Sequence, residues 1–120
     1  MKKFITSALP YANGPIHIGH LVEYIQTDIY VRFLKSKGEK VIYICADDAH
    51  GAPIEINATK QGISPKELIA KYLKDHQEDF SSFQIKFDNY YSTDSDENKE
   101  YSDMIFLDLK KKGYIYQKEI

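Results

Sequence analysis

A chain of 120 residues with 42% hydrophobic and 28% charged residues has room for one globular domain built on one buried core. Sixteen Lys and Arg against eighteen Asp and Glu leave a formal charge of −2, and Arg32 is the sole arginine, so bulk attraction to a nucleic acid backbone is excluded as a source of binding. The single cysteine, Cys45, permits no internal disulfide and points to a reducing compartment; with four scattered histidines it also permits no four-ligand zinc site.

The opening Met1-Lys2-Lys3-Phe4-Ile5-Thr6-Ser7-Ala8 breaks at Pro10, too early for the apolar region of a signal peptide. No stretch approaches the roughly eighteen apolar residues of a spanning helix, so a soluble, cytoplasmic protein with no membrane partner is expected. Phe4 to Ala8, apolar with β-branched members, predicts a strand. Leu9-Pro10-Tyr11-Ala12-Asn13-Gly14-Pro15 then excludes regular structure and forms a loop. From Ile18 the apolar positions 18, 21, 22, 25, 29 and 33 predict one face of a helix that Gly38 ends. Val41 to Ala46 is continuously apolar, the pattern of a strand covered on both faces of a parallel sheet, and the three elements make a right-handed βαβ unit. This strand runs into Asp47-Asp48-Ala49-His50-Gly51 at the carboxyl edge, where open α/β sheets bind ligands.

After Pro53 a short helix is expected to end at Gly62. Ser64-Pro65-Lys66-Glu67 is a capping box with Pro at the first helical position, stapled by Ile63 and Leu68. The helix it starts carries Ile69, Tyr72, Leu73, His76 and Phe80 on one face, with Phe83 a further candidate. Ile85, Phe87 and Asn89 alternate toward a third strand ending near Tyr91. Thr93 or Ser95 caps a last helix running to Lys112, with Tyr101, Met104, Ile105 and Leu109 facing inward and Gly113 closing it. Tyr114-Ile115-Tyr116 then reads as the start of another strand. The fold class expected is α/β, the first half of a doubly wound, parallel-sheet, Rossmann-like nucleotide-binding domain over residues 1–113.

The strongest chemical signal is Pro15-Ile16-His17-Ile18-Gly19-His20, where the first loop meets the first helix. A helix N-terminus presents free N–H groups and partial positive charge to an anion. Two imidazoles three residues apart share that first turn, and the glycine between them lets a nucleotide lie against the backbone. Taken alone, His17 and His20 also fit two solvated helix-start residues, or a metal pair with Asp47 or Asp48. Their position, from strand one to helix one of a βαβ unit, favours a polyphosphate cradle.

Ala8 through His20 resembles the first signature of class I aminoacyl-tRNA synthetases, named for its His-Ile-Gly-His letters. Cys45-Ala46-Asp47-Asp48-Ala49-His50-Gly51 is similar to the segment after the second strand in methionyl-tRNA synthetases, and Phe87-Asp88-Asn89-Tyr90 with Ser92-Thr93 also resembles that family. The resemblance covers the whole chain, with residues 114–120 at the edge of the family's inserted connective domain. It implies that His17 and His20 are catalytic and that Tyr11 and Gly19 join them in binding ATP; Glu23, on the same helix face about one turn after His20, is placed to reach the nucleotide too, or to be a solvated helical glutamate. It further implies that Leu9 and Tyr11 line the pocket for the methionine thioether, and that Asp48 holds the methionine ammonium group. Asp47 is expected to bond backbone groups in its turn. His50, His76 and Cys45 are assigned to structure, His50 being nearest to a ligand role.

The implied reaction joins L-methionine and ATP, with Mg2+, into methionyl adenylate and pyrophosphate, and then transfers the methionyl group to tRNA(Met). The family's lysine-rich second signature, its connective domain with possible zinc, and its anticodon-reading helices do not occur in this sequence, so a fragment is expected and no metal site within it. Two other readings remain open at this point: a small nucleotidyltransferase of the same superfamily, and a non-catalytic module that binds ATP or methionine. The nucleotidyltransferases carry an Asp-Pro pair after the first strand, where this chain has Leu9-Pro10-Tyr11.

Overall fold

The chain runs β1 (Lys2–Thr6), α1 (Ile18–Ser36), β2 (Lys40–Asp47), α2 (Ala52–Gln61), α3 (Pro65–Ser82), β3 (Asn89–Ser92) and α4 (Asp96–Lys111). This computed structural model describes residues 2–118. The three strands form one sheet in the order β1-β2-β3, and both neighbouring pairs are parallel. A parallel pair needs a crossover, which α1 supplies between β1 and β2, and α2 with α3 between β2 and β3. This is one wing of a doubly wound α/β sheet.

The helices α1 and α3 share one face of the sheet. Their core joins Leu21, Tyr24 and Val31 of α1 to Tyr43 and Cys45 of β2, Phe80 of α3, and Ile85. Tyr24 and Phe80 meet edge to face with ring centroids 4.6 Å apart. A second cluster ties Ala12 and Ala49 to Ile54 and Ala58 of α2 and Leu68 and Tyr72 of α3. On β2 the residues Tyr43, Cys45 and Asp47 are buried, whereas Ile42, Ile44 and Ala46 on the opposite face are only half-buried. Partners in register on that opposite face include Phe4, 65% exposed, and Tyr91, 49% exposed. The sequence had predicted a strand covered on both faces; among the described residues no helix packs over the second face.

Several element limits differ from expectation, each for a local reason. Strand β1 is Lys2–Thr6 instead of 4–8, because Lys2 and Lys3 pair with Lys40 and Val41, Lys3 forms an ion pair with Glu39 at 2.6 Å, and Ser7 onward leaves the ladder. On α1 the buried stripe is Leu21, Tyr24, Asp28, Val31 and Leu34, while Ile18, Val22, Ile29 and Phe33 of the expected face are exposed. Polar-tipped residues took the inner positions because each finds a bond there. Tyr24 donates to the Ala8 carbonyl at 2.7 Å, and Asp28 accepts from the Lys86 N–H at 3.1 Å and from Arg32. Arg32 also donates to the Gln84 carbonyl, so the sole arginine pins the α3–β3 turn, where Gln84 sits at φ 59.

Helix α3 starts at the expected box, with the Glu67 N–H on Ser64 Oγ at 3.2 Å and the Ser64 N–H on Glu67 at 2.8 Å. Its buried side is Leu68, Tyr72, His76 and Phe80, with Ile69 and Leu73 half-buried and Phe83 exposed. Strand β3 is shorter than expected: Ile85 and Phe87 pack into the core from the turn before it, and pairing starts only at Asn89. Ser95, not Thr93, caps α4. The expected inward face of α4 is not inward: Tyr101, Met104, Ile105 and Leu109 are all exposed, since no other element among the described residues covers that face. Residues 114–118 form no strand and are exposed; Met1, Glu119 and Ile120 lie outside the described residues.

Candidate active site

Every residue singled out for chemistry lies on the loop after β1, the first turns of α1, or the turn after β2. The chain re-pairs beyond the strands: Tyr11 bridges Asp48 in parallel, the Ala12 N–H donating to the Asp48 carbonyl at 2.9 Å and the Asp48 N–H to the Pro10 carbonyl at 2.8 Å. Since Thr6 already pairs with Ile44, the four residues Ser7–Pro10 stand against three on β2, and the extra residue forces a bulge. Leu9 sits on that bulge, 43% exposed. The loop is held on both sides. Ser7 Oγ meets the Tyr43 hydroxyl at 3.0 Å, the Ala8 N–H donates to Glu23 Oε1 at 2.6 Å, and Asn57 donates to the Asn13 side chain at 2.8 Å.

Tyr11 reaches across to the β2–α2 turn, where a Cβ on Gly51 would stand 2.8 Å from its hydroxyl. Gly51 has φ 125 and ψ 152, a conformation essentially restricted to glycine. Asp48 projects its carboxylate from an exposed position beside this turn. The structure therefore brings Tyr11 and Asp48 together through their backbones.

Helix α1 opens at His17, in extended conformation, whose carbonyl accepts from the His20 and Leu21 N–H groups. The two imidazoles stack with centroids 3.7 Å apart and planes at 20°. His20 Nδ1 accepts the His17 backbone N–H at 3.3 Å, which leaves the ring proton on Nε2 as an outward donor. Burial lowers the His20 pKa below its ordinary value, and the His17 and His76 rings push the same way, which favours the neutral His20 ring. Gly19 leaves room for this stack: a Cβ there would come 3.1 Å from the His17 ring. The first turn of α1 contains no acidic residue, so nothing on the helix itself offsets its partial positive end.

Below this edge lies a network the sequence did not reveal. Asp47 and His76 are fully buried. His76 Nδ1 donates to Asp47 Oδ1 at 2.9 Å, and Nε2 donates to the Gly14 carbonyl at 2.8 Å. The Tyr90 hydroxyl donates to the same Asp47 oxygen, while Asp47 Oδ2 has no partner among the described residues. Asp47 thus bonds side chains from α3 and β3 with its carboxylate, not the backbone groups of its turn as expected. Desolvation pulls the His76 pKa down, but the bonds to Asp47 and Gly14 and the Asp47 charge outweigh it and raise the pKa overall. Burial, reinforced by Asp47, pushes the Tyr90 hydroxyl far up and keeps it a donor. The only sequence signal was a histidine within a buried helical stripe and an aspartate ending an apolar strand. His50 donates from Nε2 to the Thr93 carbonyl at 3.1 Å, and burial raises the Cys45 thiol pKa.

The chemical edge is open. A cleft of about 610 Å3 lies elsewhere, between His50, Lys66, Thr93 and the start of α4, and Leu9, Tyr11, His17, His20 and Asp48 do not line it. Among the described residues no cluster of three His, Cys, Asp or Glu side chains is placed to hold a metal ion.

The family described as tRNA synthetases class I (M) matches residues 3–120. The chain is 56% identical over 119 residues to a methionine–tRNA ligase of Myxococcus xanthus and 55% identical over 116 residues to one of Ralstonia nicotianae. These alignments take in 99% and 97% of this chain but 17% of each relative, so the chain spans about a sixth of their length. Among solved structures, the Agrobacterium radiobacter LeuRS in its ternary complex with tRNA and LeuAMS superposes with a TM-score of 0.89 and 27% identity, over 96% of this chain and 15% of that one. Mycobacterium tuberculosis methionyl-tRNA synthetase in complex with methionyl-adenylate superposes at 0.80 with 29% identity, over 83% of this chain and 20% of that one. With parallel strands, a histidine-opened first helix and an Asp-Asp turn in place, the chain belongs to the class I (M) tRNA synthetases, the family of the methionine–tRNA ligases.

Proposed function

We propose that this chain forms the amino-acid-activating edge of a methionine–tRNA ligase, which condenses L-methionine with ATP to methionyl adenylate and then charges tRNA(Met). The observation that carries the reading is the meeting of two motifs on one strand edge: His17, Gly19 and His20 open α1 from the same loop whose Tyr11 is bridged to Asp48. In this reading Asp48 binds the methionine ammonium group, and Leu9 and Tyr11 enclose the soft, polarisable thioether. His17 and His20 donate to phosphate oxygens of ATP at the helix N-terminus, with Tyr11, Gly19 and Glu23 completing the nucleotide contacts. Glu23 has Oε1 engaged by the Ala8 N–H, so the nucleotide contact falls to Oε2.

No protein nucleophile is needed. A methionine carboxylate oxygen forms a bond to the α-phosphorus, and the bond from that phosphorus to the pyrophosphate oxygen breaks. The chain's residues supply positioning and donors where phosphate charge grows. In this reading Mg2+ would accompany the ATP substrate, and any zinc would be held by a connective domain that opens near residues 114–120. No described helix is long and apolar enough to cross a membrane. We place the protein with its tRNA in the cytoplasm.

The test is ATP–pyrophosphate exchange by the full-length protein, run with each amino acid in turn. Exchange dependent on methionine supports the proposal. Exchange driven equally by leucine or valine, or none with any amino acid, overturns it.

A further inference from the structure

We propose that His76 is a positioning residue for adenylate formation, acting as a buried strut that holds the loop before His17 at a fixed distance from the end of β2 that carries Asp48. The inference rests on the function proposed above and extends it to a residue that is fully buried. The strut is made by one ring with two donors: Nε2 to the Gly14 carbonyl at 2.8 Å and Nδ1 to Asp47 Oδ1 at 2.9 Å. Gly14 lies three residues before His17, and Asp47 immediately precedes Asp48. A carbonyl and a carboxylate only accept, so both ring nitrogens carry protons and the side chain is an imidazolium. The raised pKa of His76 agrees with this assignment.

Three features make the strut more than local packing. First, it spans three separate segments: the signature loop, the tip of β2 and the middle of α3. Second, the ladder to β3 fixes the Asp47 end, whereas other bonds fix the loop end only in part. The Tyr11–Asp48 bridge ties the loop two residues before Asn13, and Asn57 holds Asn13 itself. Between Asn13 and the helical bonds of His17, the His76–Gly14 contact is the sole hydrogen bond from another element among the described residues. Third, the partner is specific: Asp47 is fully buried and takes both the His76 and Tyr90 donors on Oδ1. The charge at His76 also acts at His20, whose pKa it helps to lower.

A side chain unable to donate at both ends lets the loop move relative to β2. The reacting carboxylate of methionine, anchored through Asp48, and the α-phosphate, held at the start of α1, then lose their alignment. Misplacements of about 1 Å cost on the order of 100-fold in rate even when they arise away from the chemistry. The signature is therefore a fall in kcat at saturating methionine and ATP, per active site, instead of a loss of folded protein.

The experiment uses the full-length protein. Wild-type methionine-dependent ATP–pyrophosphate exchange is measured first; its absence removes the proposed function itself, independently of His76. His76→Gln, Asp47→Asn and Tyr90→Phe are then compared, with the number of competent sites counted by the burst of adenylate formed in a single turnover. His76→Gln is expected to lower kcat per site about 10- to 100-fold with the ATP KM changed by less than about threefold. Asp47→Asn, which keeps an acceptor of the same shape, is expected to lose about 3- to 10-fold. Tyr90→Phe, which leaves the bridge intact, should lower thermal stability while keeping kcat per site within about twofold. The proposal is overturned if the remaining competent sites of His76→Gln and Asp47→Asn turn over at the wild-type rate. It is equally overturned if Tyr90→Phe loses as much kcat per site as they do.

Discussion

Replacing Gly51 by alanine separates two roles that one residue plays. The first is conformational: at φ 125 and ψ 152 the backbone occupies a region where any Cβ is strained, a cost of about 1–3 kcal/mol. The second is spatial. The new Cβ would lie 2.8 Å from the Tyr11 hydroxyl but 3.8 Å from the ring carbon that bears it, so the clash belongs to the oxygen alone. Restoring ordinary contact moves that oxygen by about 0.6 Å. The Tyr11 backbone is bridged to Asp48, so the ring must swing, and with it one wall of the proposed thioether pocket. Gly51→Ala should therefore lower both stability and methionine affinity. Adding Tyr11→Phe should relieve the spatial part and leave the backbone part. Calorimetric titration with methionine over the four proteins of the double-mutant cycle measures the coupling, expected at about 0.5–3 kcal/mol with the sign of rescue. Strictly additive losses, or a Gly51→Ala protein as stable as wild type, would refute the reasoning.

Other expectations follow from single contacts. Asp48→Ala should weaken methionine binding in calorimetry by about 10- to 100-fold, the loss of one charge-assisted contact, with ATP binding nearly unchanged. Asp28→Ala strands the Lys86 N–H and frees Arg32 from its partner; thermal denaturation should show a loss of about 1–3 kcal/mol, and wild-type stability would remove the role assigned to this cluster. The His76 pKa is raised above 6.5 in the folded state, by its bonds to Asp47 and Gly14 against the opposing effect of burial. The charged groups and rings facing it are Asp47 from β2, Tyr90 from β3, His20 from α1, and Tyr72 and Asp79 of its own helix. The folded state holds this proton more tightly, so the stabilisation is complete below the unfolded value near 6.5 and declines as pH rises through the raised folded value. The Tm gap between wild type and His76→Gln should accordingly narrow as pH rises above the unfolded value near 6.5, and a gap that widens would contradict an imidazolium.

The parts of the molecule that were legible in the sequence are those governed by local rules. Pro10, Asn13-Gly14 and Pro15 can only be loop, and Ser64-Pro65-Lys66-Glu67 can hardly be anything but a helix start; both stand as read. The apolar run into Asp47-Asp48 fixed a parallel strand and the place of its carboxyl edge. The failures share a different cause, which is tertiary competition. Apolar periodicity chose Ile18, Val22, Ile29 and Phe33 for the inner face of α1, but Tyr24 and Asp28 displaced them because their polar tips are satisfied inside. The same periodicity turned α4 inward, although among the described residues nothing covers its apolar side chains. Ile85 and Phe87 alternate like a strand yet pack from a turn that Arg32 fixes across 52 residues of sequence. In the candidate site, the helix-opening histidines and the strand-end aspartate were visible as motifs. The His76 strut was not, because a buried histidine declares its partners only when three distant segments are brought together.

The central claim is that His17 and His20 stabilise charge that grows on the phosphates during adenylate formation. The most direct measurement is the rate of methionine-dependent ATP–pyrophosphate exchange by full-length His17→Ala and His20→Ala proteins, set beside their ATP dissociation constants. Each change should slow exchange by about 100- to 1000-fold while ATP affinity shifts much less, since the lost donors act mainly in the transition state. Losses of rate that track losses of ATP affinity or of folded protein one for one would contradict the claim and return the two histidines to a binding or structural role.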